Sequence, residues 1–310
     1  MKVYTITLNP VYDIFYRVPS LKLNEENQAS SIQLYTGGKG VNVSRALISG
    51  GHDNTSAYLL LGQENCQPFI EGLVRDQIHT RLFYTDGRMR ENITLIDEAG
   101  NETRIVMNNF SANPDTLSYV LSALKKEVTP DDIIACCGRF PAGIPVEDTV
   151  AFIEGLKEIT SKVVLDTKSI GLSDLLEIAP WFIKPNQKEI EALIGYPCND
   201  AETALMAAEE LYLKGVSNVF ITLGDRGAVY CGELGKCFVG IPSIVPLSTV
   251  GAGDSTVAGF IAGYMESPTM KNCAATACAY GTACCLEPGT NPPTPENIAA
   301  IKARVIVTPA

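Results

Sequence analysis

The stretch VPLSTVGAGDSTVAGFIAGYM, residues 245 to 265, changes character in its middle. Extended, β-prone residues give way at Gly251-Ala252-Gly253-Asp254 to a run of small and apolar residues that reads as a helix. Glycines at such a junction let the backbone come close to a visitor, and the first turn of a helix leaves amide hydrogens without partners. An anion is the expected visitor. Asp254, at the first helical positions, is an acceptor-only carboxylate beside that cradle, as a base taking a hydroxyl proton would be. A helix cap would explain Asp254 equally well taken alone, but Ser or Asn caps without two preceding glycines.

Working outward, short apolar runs alternate with helical patterns. VYTITL (3–8), TSAYLLL (55–61), DDIIACC (131–137), KVVLD (162–166), WFIK (181–184) and NVFITL (218–223) read as strands, and VNVSRALIS (41–49) and residues 201–214 as helices. The expected fold is α/β: one three-layer αβα domain over residues 1–310 with a mainly parallel central sheet. Two segments break the rhythm. Residues 11–36 look like strands around a polar turn, and residues 92–107 like a hairpin turning at Glu98-Ala99-Gly100-Asn101. Together, over about 11–36 and 88–108, they predict a small second sheet. It would lie over the mouth of the domain, pair with another subunit, or do both.

Subtracting 35 acidic from 24 basic residues leaves a net charge of -11, which argues against nucleic acid or an anionic membrane as partner. Any phosphate must be met by a few local cations. The N-terminus lacks a secretory pattern and no apolar run reaches membrane-spanning length, so a cytoplasmic protein is expected. The ten cysteines form no C-x-x-C and only two histidines could join them, so they read as core residues of a reducing compartment.

A second glycine-rich stretch, TGGKGVNVSRAL at 36–47, sets Gly37, Gly38 and Gly40 around Lys39 at a strand-to-helix boundary. It combines exposed amides, a helix N-terminus and a point charge, or else it is a tight turn with a solvated lysine. It is not a Walker A loop, and no G-x-G-x-x-G follows the first strand, so an oxidoreductase of the dinucleotide type lacks its fingerprint. TLGDRGAVY (222–230) and AYGTACCLEPGT (279–290) are weaker and could wall a nucleotide site.

With TLNPVYD, GGKGVNVSRAL, KPNQKE, STVGAGDST and GTACCLEPGT in that order, the chain resembles the PfkB family of carbohydrate kinases, of the ribokinase-like superfamily. Within it, the branch of 1-phosphofructokinase and tagatose-6-phosphate kinase is the most similar. The resemblance implies a ribokinase-like domain with a β-sheet lid that in relatives often also forms a dimer contact. It implies Asp254 as catalytic base and Gly251, Ala252 and Gly253 as an anion hole for the transferred phosphoryl group. Asn186-Gln187-Lys188-Glu189 matches the family's N-x-x-E, implying that Asn186 and Glu189 organise Mg2+, mainly through water. Lys184, Thr222, Gly224 and Gly227 would line the path of ATP, with Gly281 near adenine. On the acceptor side Asp13 would hold sugar hydroxyls, and Gly38, Lys39, Asn42 and Arg90 a sugar phosphate.

Two departures bear on the acceptor. Relatives acting on sugar phosphates usually carry a lid cation near the position of Asn27-Gln28-Ala29, and usually have G-S-L-P where this chain has Gly138-Arg139-Phe140-Pro141. Arg139 either restores the missing cation or signals a different acceptor. The hairpin also ends in MNNFSAN, where relatives often have Gly-Pro, so lid closure would differ. The expected activity is ATP-dependent phosphorylation of a hydroxymethyl group of a ketohexose phosphate, fructose 1-phosphate or tagatose 6-phosphate. A kinase of a free sugar or nucleoside, or a non-catalytic sugar-phosphate sensor, are the alternatives.

Overall fold

The computed structural model describes residues 1–107 and 110–310, so part of the MNNFSAN expectation and the lid boundary at 108 lie outside the described residues. The chain begins with β1 (Val3–Thr7), β2 (Val11–Val18), β3 (Ser31–Gly37), α1 (Lys39–Ser49), β4 (Thr55–Gly62), α2 (Gln67–Arg75), β5 (His79–Thr85), β6 (Arg90–Asp97) and β7 (Glu102–Val106). It continues through α3 (Asp115–Glu127), β8 (Ile133–Cys137), α4 (Val146–Lys157), β9 (Val163–Asp166), α5 (Leu172–Ile178), β10 (Phe182–Ile183), α6 (Gln187–Ile194) and α7 (Ala201–Leu213). The last elements are β11 (Asn218–Thr222), β12 (Ala228–Gly232), β13 (Gly235–Gly240), α8 (Ala252–Glu266), α9 (Met270–Cys284), α10 (Pro295–Lys302) and β14 (Ile306–Pro309).

Among the described residues these strands make a ten-stranded sheet, in the order β14-β13-β12-β11-β10-β9-β8-β1-β4-β5, and a four-stranded one, β3-β2-β6-β7. From β11 to β5 every pairing in the large sheet is parallel, and the far edge is antiparallel. β1, β8 and β9 are buried along their whole length, as strands covered on both faces must be. Their alternating side chains feed two cores. Tyr4, Ile6, Ile134 and Leu165 pack with Val120, Phe152 and Ala208 on one side, while Val3, Ile133 and Val164 pack with Val43, Phe260 and Ala277 on the other. The three-layer αβα architecture with its small separate sheet is therefore as the sequence pattern led us to expect.

Parallel strands point their carboxyl ends the same way, so the loops following β1, β8, β9 and β10 gather at one edge, the usual place for a ligand. Two helices begin there. Phe260 holds α8 against the sheet by stacking on Phe182 at a centroid distance of 4.1 Å and meeting Trp181 edge-on at 5.9 Å. Arg45, 8% exposed, ties α1 to β3 and α2 through Thr36 and through Asp76 at 2.6 Å. All ten cysteines are free and eight are buried, in keeping with a packing role.

Candidate active site

Gly251 is the residue that starts α8, with φ 83° in the left-handed region that an L side chain adopts only under strain. No side chain caps the helix, so Asp254 is not its cap and the alternative reading of that residue falls away. Among the described residues no carbonyl accepts from the amides of Gly253 or Asp254, which point out of the helix end as an anion cradle would. The Asp254 carboxylate is 7% exposed and accepts from Asn42 Nδ2 at 2.8 Å. Burial pushes its pKa up to about 6, against the pull of Lys39 and with a further push from Asp166.

α1 supplies the facing wall. Gly38 is its N-cap and Lys39 its first residue, so the helix starts two residues earlier than the apolar pattern suggested. Lys39 Nζ donates to Asp166 Oδ1 at 2.8 Å. Burial works against that ammonium, but Asp166, Asp254 and Glu189 outweigh it and hold the group protonated well above its ordinary range. Lys184, which follows β10, is 4% exposed. Its Nζ stands 3.1 Å from where a Cβ on residue 253 would lie, so glycine there lets a cation close on the cradle.

Asn186 and Glu189 form a reciprocal capping box at the start of α6: Asn186 Oδ1 accepts from the Glu189 amide at 3.0 Å, and Glu189 Oε2 from the Asn186 amide at 3.0 Å. Glu189 Oε1 pairs with Lys168 at 3.0 Å. Burial raises the Glu189 carboxyl, but the Asn186 amide and the Lys168, Lys184 and Lys39 ammonium groups leave it below its ordinary value. Among the described residues no three His, Cys, Asp or Glu side chains converge closely enough to ligate an ion directly. The oxygens of the N-x-x-E pair are occupied by protein donors and fit a hydrated cation met through its water shell.

Beside them lies a cavity of about 520 Å³ bounded by Asn186, Thr222, Gly224, Gly227, Ala252, Gly253 and Gly281, which brings together the residues expected for the nucleotide except Lys184. Thr222 bridges directly to Asn186 across the sheet edge. Of the residues expected on the acceptor side, Gly38, Lys39 and Asn42 belong to the start of α1, and Asp13, Arg90 and Arg139 to the small sheet and the loop after β8. Asn92 Nδ2 donates to Asp13 Oδ1 at 3.0 Å, fixing the carboxylate, whose pKa is raised by burial against that bond and against Arg90. The Arg90 Nε is buried without a partner among the described residues, and burial, opposed by Asp13 and reinforced by nearby Arg139, depresses its pKa. Arg139 is exposed, on the loop whose Gly138 abuts Lys39.

The residues selected from the sequence thus gather into three adjoining groups, the α8 turn, the nucleotide cavity and the lid side. Asn92 and Asp166 escaped that reading. Asp166 had a usable signal, an aspartate ending the buried strand VVLD at the carboxyl edge; Asn92 had none, because only the parallel pairing of β2 with β6 sets it opposite Asp13.

Comparison with known proteins identifies the family of the chain. The pfkB family carbohydrate kinase profile matches residues 6–297. The chain is 32% identical over 276 residues to 1-phosphofructokinase of Haemophilus influenzae, covering 84% of each chain. It is 29% identical over 308 residues to that of Escherichia coli K12, covering 99% of this chain and 98% of the relative. The crystal structure of phosphofructokinase-2 from Escherichia coli in complex with substrates and products superposes with a TM-score of 0.90 at 25% identity, over 98% of this chain and 99% of the other. The chain belongs to the PfkB family of carbohydrate kinases.

Proposed function

We propose that the protein transfers the γ-phosphoryl group of ATP to a hydroxymethyl group of a ketohexose phosphate, fructose 1-phosphate or tagatose 6-phosphate. The observation that carries this reading is the buried Asp254 carboxylate set beside the open amides of the α8 turn, with Lys39 and Lys184 around it. Asp254 takes the hydroxyl proton as the alcohol attacks, and the amides of the Gly251–Gly253 turn hold the charge of the migrating phosphoryl group. Transfer between two anions needs fixed dipoles and cations more than a nucleophilic side chain, and those are the groups gathered here. Mg2+ would be held through its waters by Asn186 and Glu189 and would neutralise phosphate charge. Support for a phosphorylated acceptor comes from Arg90 and Arg139, which face one another's charge without a salt-bridging carboxylate among the described residues. Relatives named 1-phosphofructokinase favour fructose 1-phosphate of the two acceptors.

Incubating the protein with Mg-ATP and a panel of sugar phosphates, free sugars and nucleosides, and following ADP, tests this directly. ADP release with a ketohexose phosphate supports it. Turnover of free sugars or nucleosides alone would replace the acceptor, and binding without turnover would make the protein a sensor.

We also propose that the lid joins two copies of the chain. Its register sets Ile14, Leu34, Ile93 and Ile105 in one row across the four strands and Tyr16, Ile32 and Leu95 in the next, all on the face opposite Asp13. Ile32 is 62% exposed, Leu34 47% and Ile105 48%, an apolar area of the kind that association covers.

A further inference from the structure

Asp166 closes β9 at the carboxyl edge of the sheet, and its side chain is 7% exposed. Oδ1 accepts from Lys39 Nζ at 2.8 Å, while Oδ2 is buried and has no partner among the described residues. The Lys39 ammonium therefore feels two buried carboxylates, Asp166 and Asp254, and bonds to the first. Asp254 is bonded instead by Asn42, a neutral amide. The choice matters chemically. A carboxylate locked in an ion pair is a weak base, whereas one bonded to an amide keeps most of its affinity for a proton.

We propose that Asp166 is a positioning residue for the transfer reaction: it anchors Lys39 off Asp254, so that Asp254 stays basic enough to accept the hydroxyl proton while the ammonium remains beside the migrating phosphoryl group. This rests on the reading of Asp254 as the base. Lys39 reaches Asp254 from α1, Asp166 from β9 and Lys184 from the end of β10. The Cys137 thiol on β8 and the Cys284 thiol on α9 also face it, and burial pushes both above their ordinary value, so they stay neutral at physiological pH. Asp166 is the anion in that set that opposes the two lysines. Removing its charge frees Lys39 to close on Asp254, and both effects act in one direction, toward a weaker base.

The test is Asp166→Asn, which keeps the shape and an acceptor for Lys39, with Asp166→Glu as the charge-preserving control. In free protein labelled with [γ-13C]aspartate, the resonance identified by its loss in Asp254→Asn should titrate near pH 6, as burial sets it. In Asp166→Asn it should titrate lower by about one unit or more, an opposite charge at contact distance being worth that much. In Asp166→Glu it should return toward the wild-type position. The acid limb of kcat/KM should move with it, while kcat at neutral pH falls about tenfold. Merely structural damage would lower kcat and leave the limb in place. An unmoved Asp254 titration in folded Asp166→Asn overturns the proposal whatever the acceptor is. A shifted titration in a protein that turns over no acceptor supports it and counts against the kinase reading alone.

Discussion

The turn that opens α8 and the small four-stranded sheet are built on opposite principles. Around Gly251–Asp254 the structure is closed: Asp254, Asp166 and Lys184 are each less than a tenth exposed, and Asp254 and Asp166 are fixed by hydrogen bonds that cross the domain. The lid is two layers short of that. β3 and β7 are exposed over most of their length, and its outer face is apolar. Chemistry that depends on dipoles aimed in advance needs the first kind of construction, because water would otherwise reorganise around every charge. Admission and recognition of an acceptor need the second, because something has to open.

The sharpest way to break this contrast is to remove charge at the closed end. Asp254→Asn keeps the shape and the contact with Asn42 but cannot accept a proton, and it should lower kcat by roughly two or more orders of magnitude with acceptor and nucleotide binding largely kept. Steady-state kinetics beside calorimetric binding separates the two. A variant that loses binding and kcat together would show the turn to be a recognition element like the lid.

On the open side, Arg90→Ala should lower kcat/KM for a phosphorylated acceptor by about 10- to 100-fold, mostly through KM, as loss of a charged hydrogen bond does. Activity toward the unphosphorylated sugar should change little. Arg139→Ala should follow the same pattern more weakly, because Arg139 is exposed where Arg90 is half-buried. Equal losses with both kinds of acceptor would mean that Arg90 shapes the lid and does not read the phosphate.

The same contrast appears in what could be read along the chain. The closed end was legible because glycines and a carboxylate at a strand-to-helix junction have few other uses, and GGKG and GAGD each sit within one turn. Even there the partners were hidden. Lys39 and Asp166 are 127 positions apart, and no local pattern joins them. The N-x-x-E motif forms a capping box at the start of α6, a structural role that the reading of the motif as a cation site left out. WFIK shortens to the two-residue β10, since the backbone leaves the sheet to carry Lys184 into the site. In the lid the strands were legible from alternation and from the turn at Asp97–Asn101, where Asp97 accepts from the Asn101 amide at 2.8 Å. The hairpin of β6 with β7 was read as well, but its joining to β2 was not, because β2 runs parallel to β6 across more than seventy residues of intervening chain.

A titration tests the closed end more gently. Asp254 works when deprotonated and burial raises its pKa to about 6, so kcat/KM should be flat above roughly pH 7 and fall about tenfold per unit below 6. Had its pKa kept the ordinary carboxylate value, the fall would begin near pH 4. A limb at that lower value would mean that water reaches Asp254 as freely as it reaches the lid.

The mildest perturbation addresses the lid's outer face. Leu34 stands in the row with Ile14, Ile93 and Ile105, and its side chain points away from Asp13. Leu34→Lys adds a charge there without touching a site residue, and the protomer should keep its fold because the position is already 47% exposed. If two copies bury this face, the charge would have to be desolvated against apolar side chains, and light scattering should show the mass halved. Activity per site should then fall only a few-fold, through acceptor KM, since the lid loses its outer support while Asp254, Lys39 and Asp166 keep theirs. An unchanged mass would assign the apolar face to something other than a second copy, and an unchanged mass with lost activity would mean that the lid's order comes from the domain beneath it.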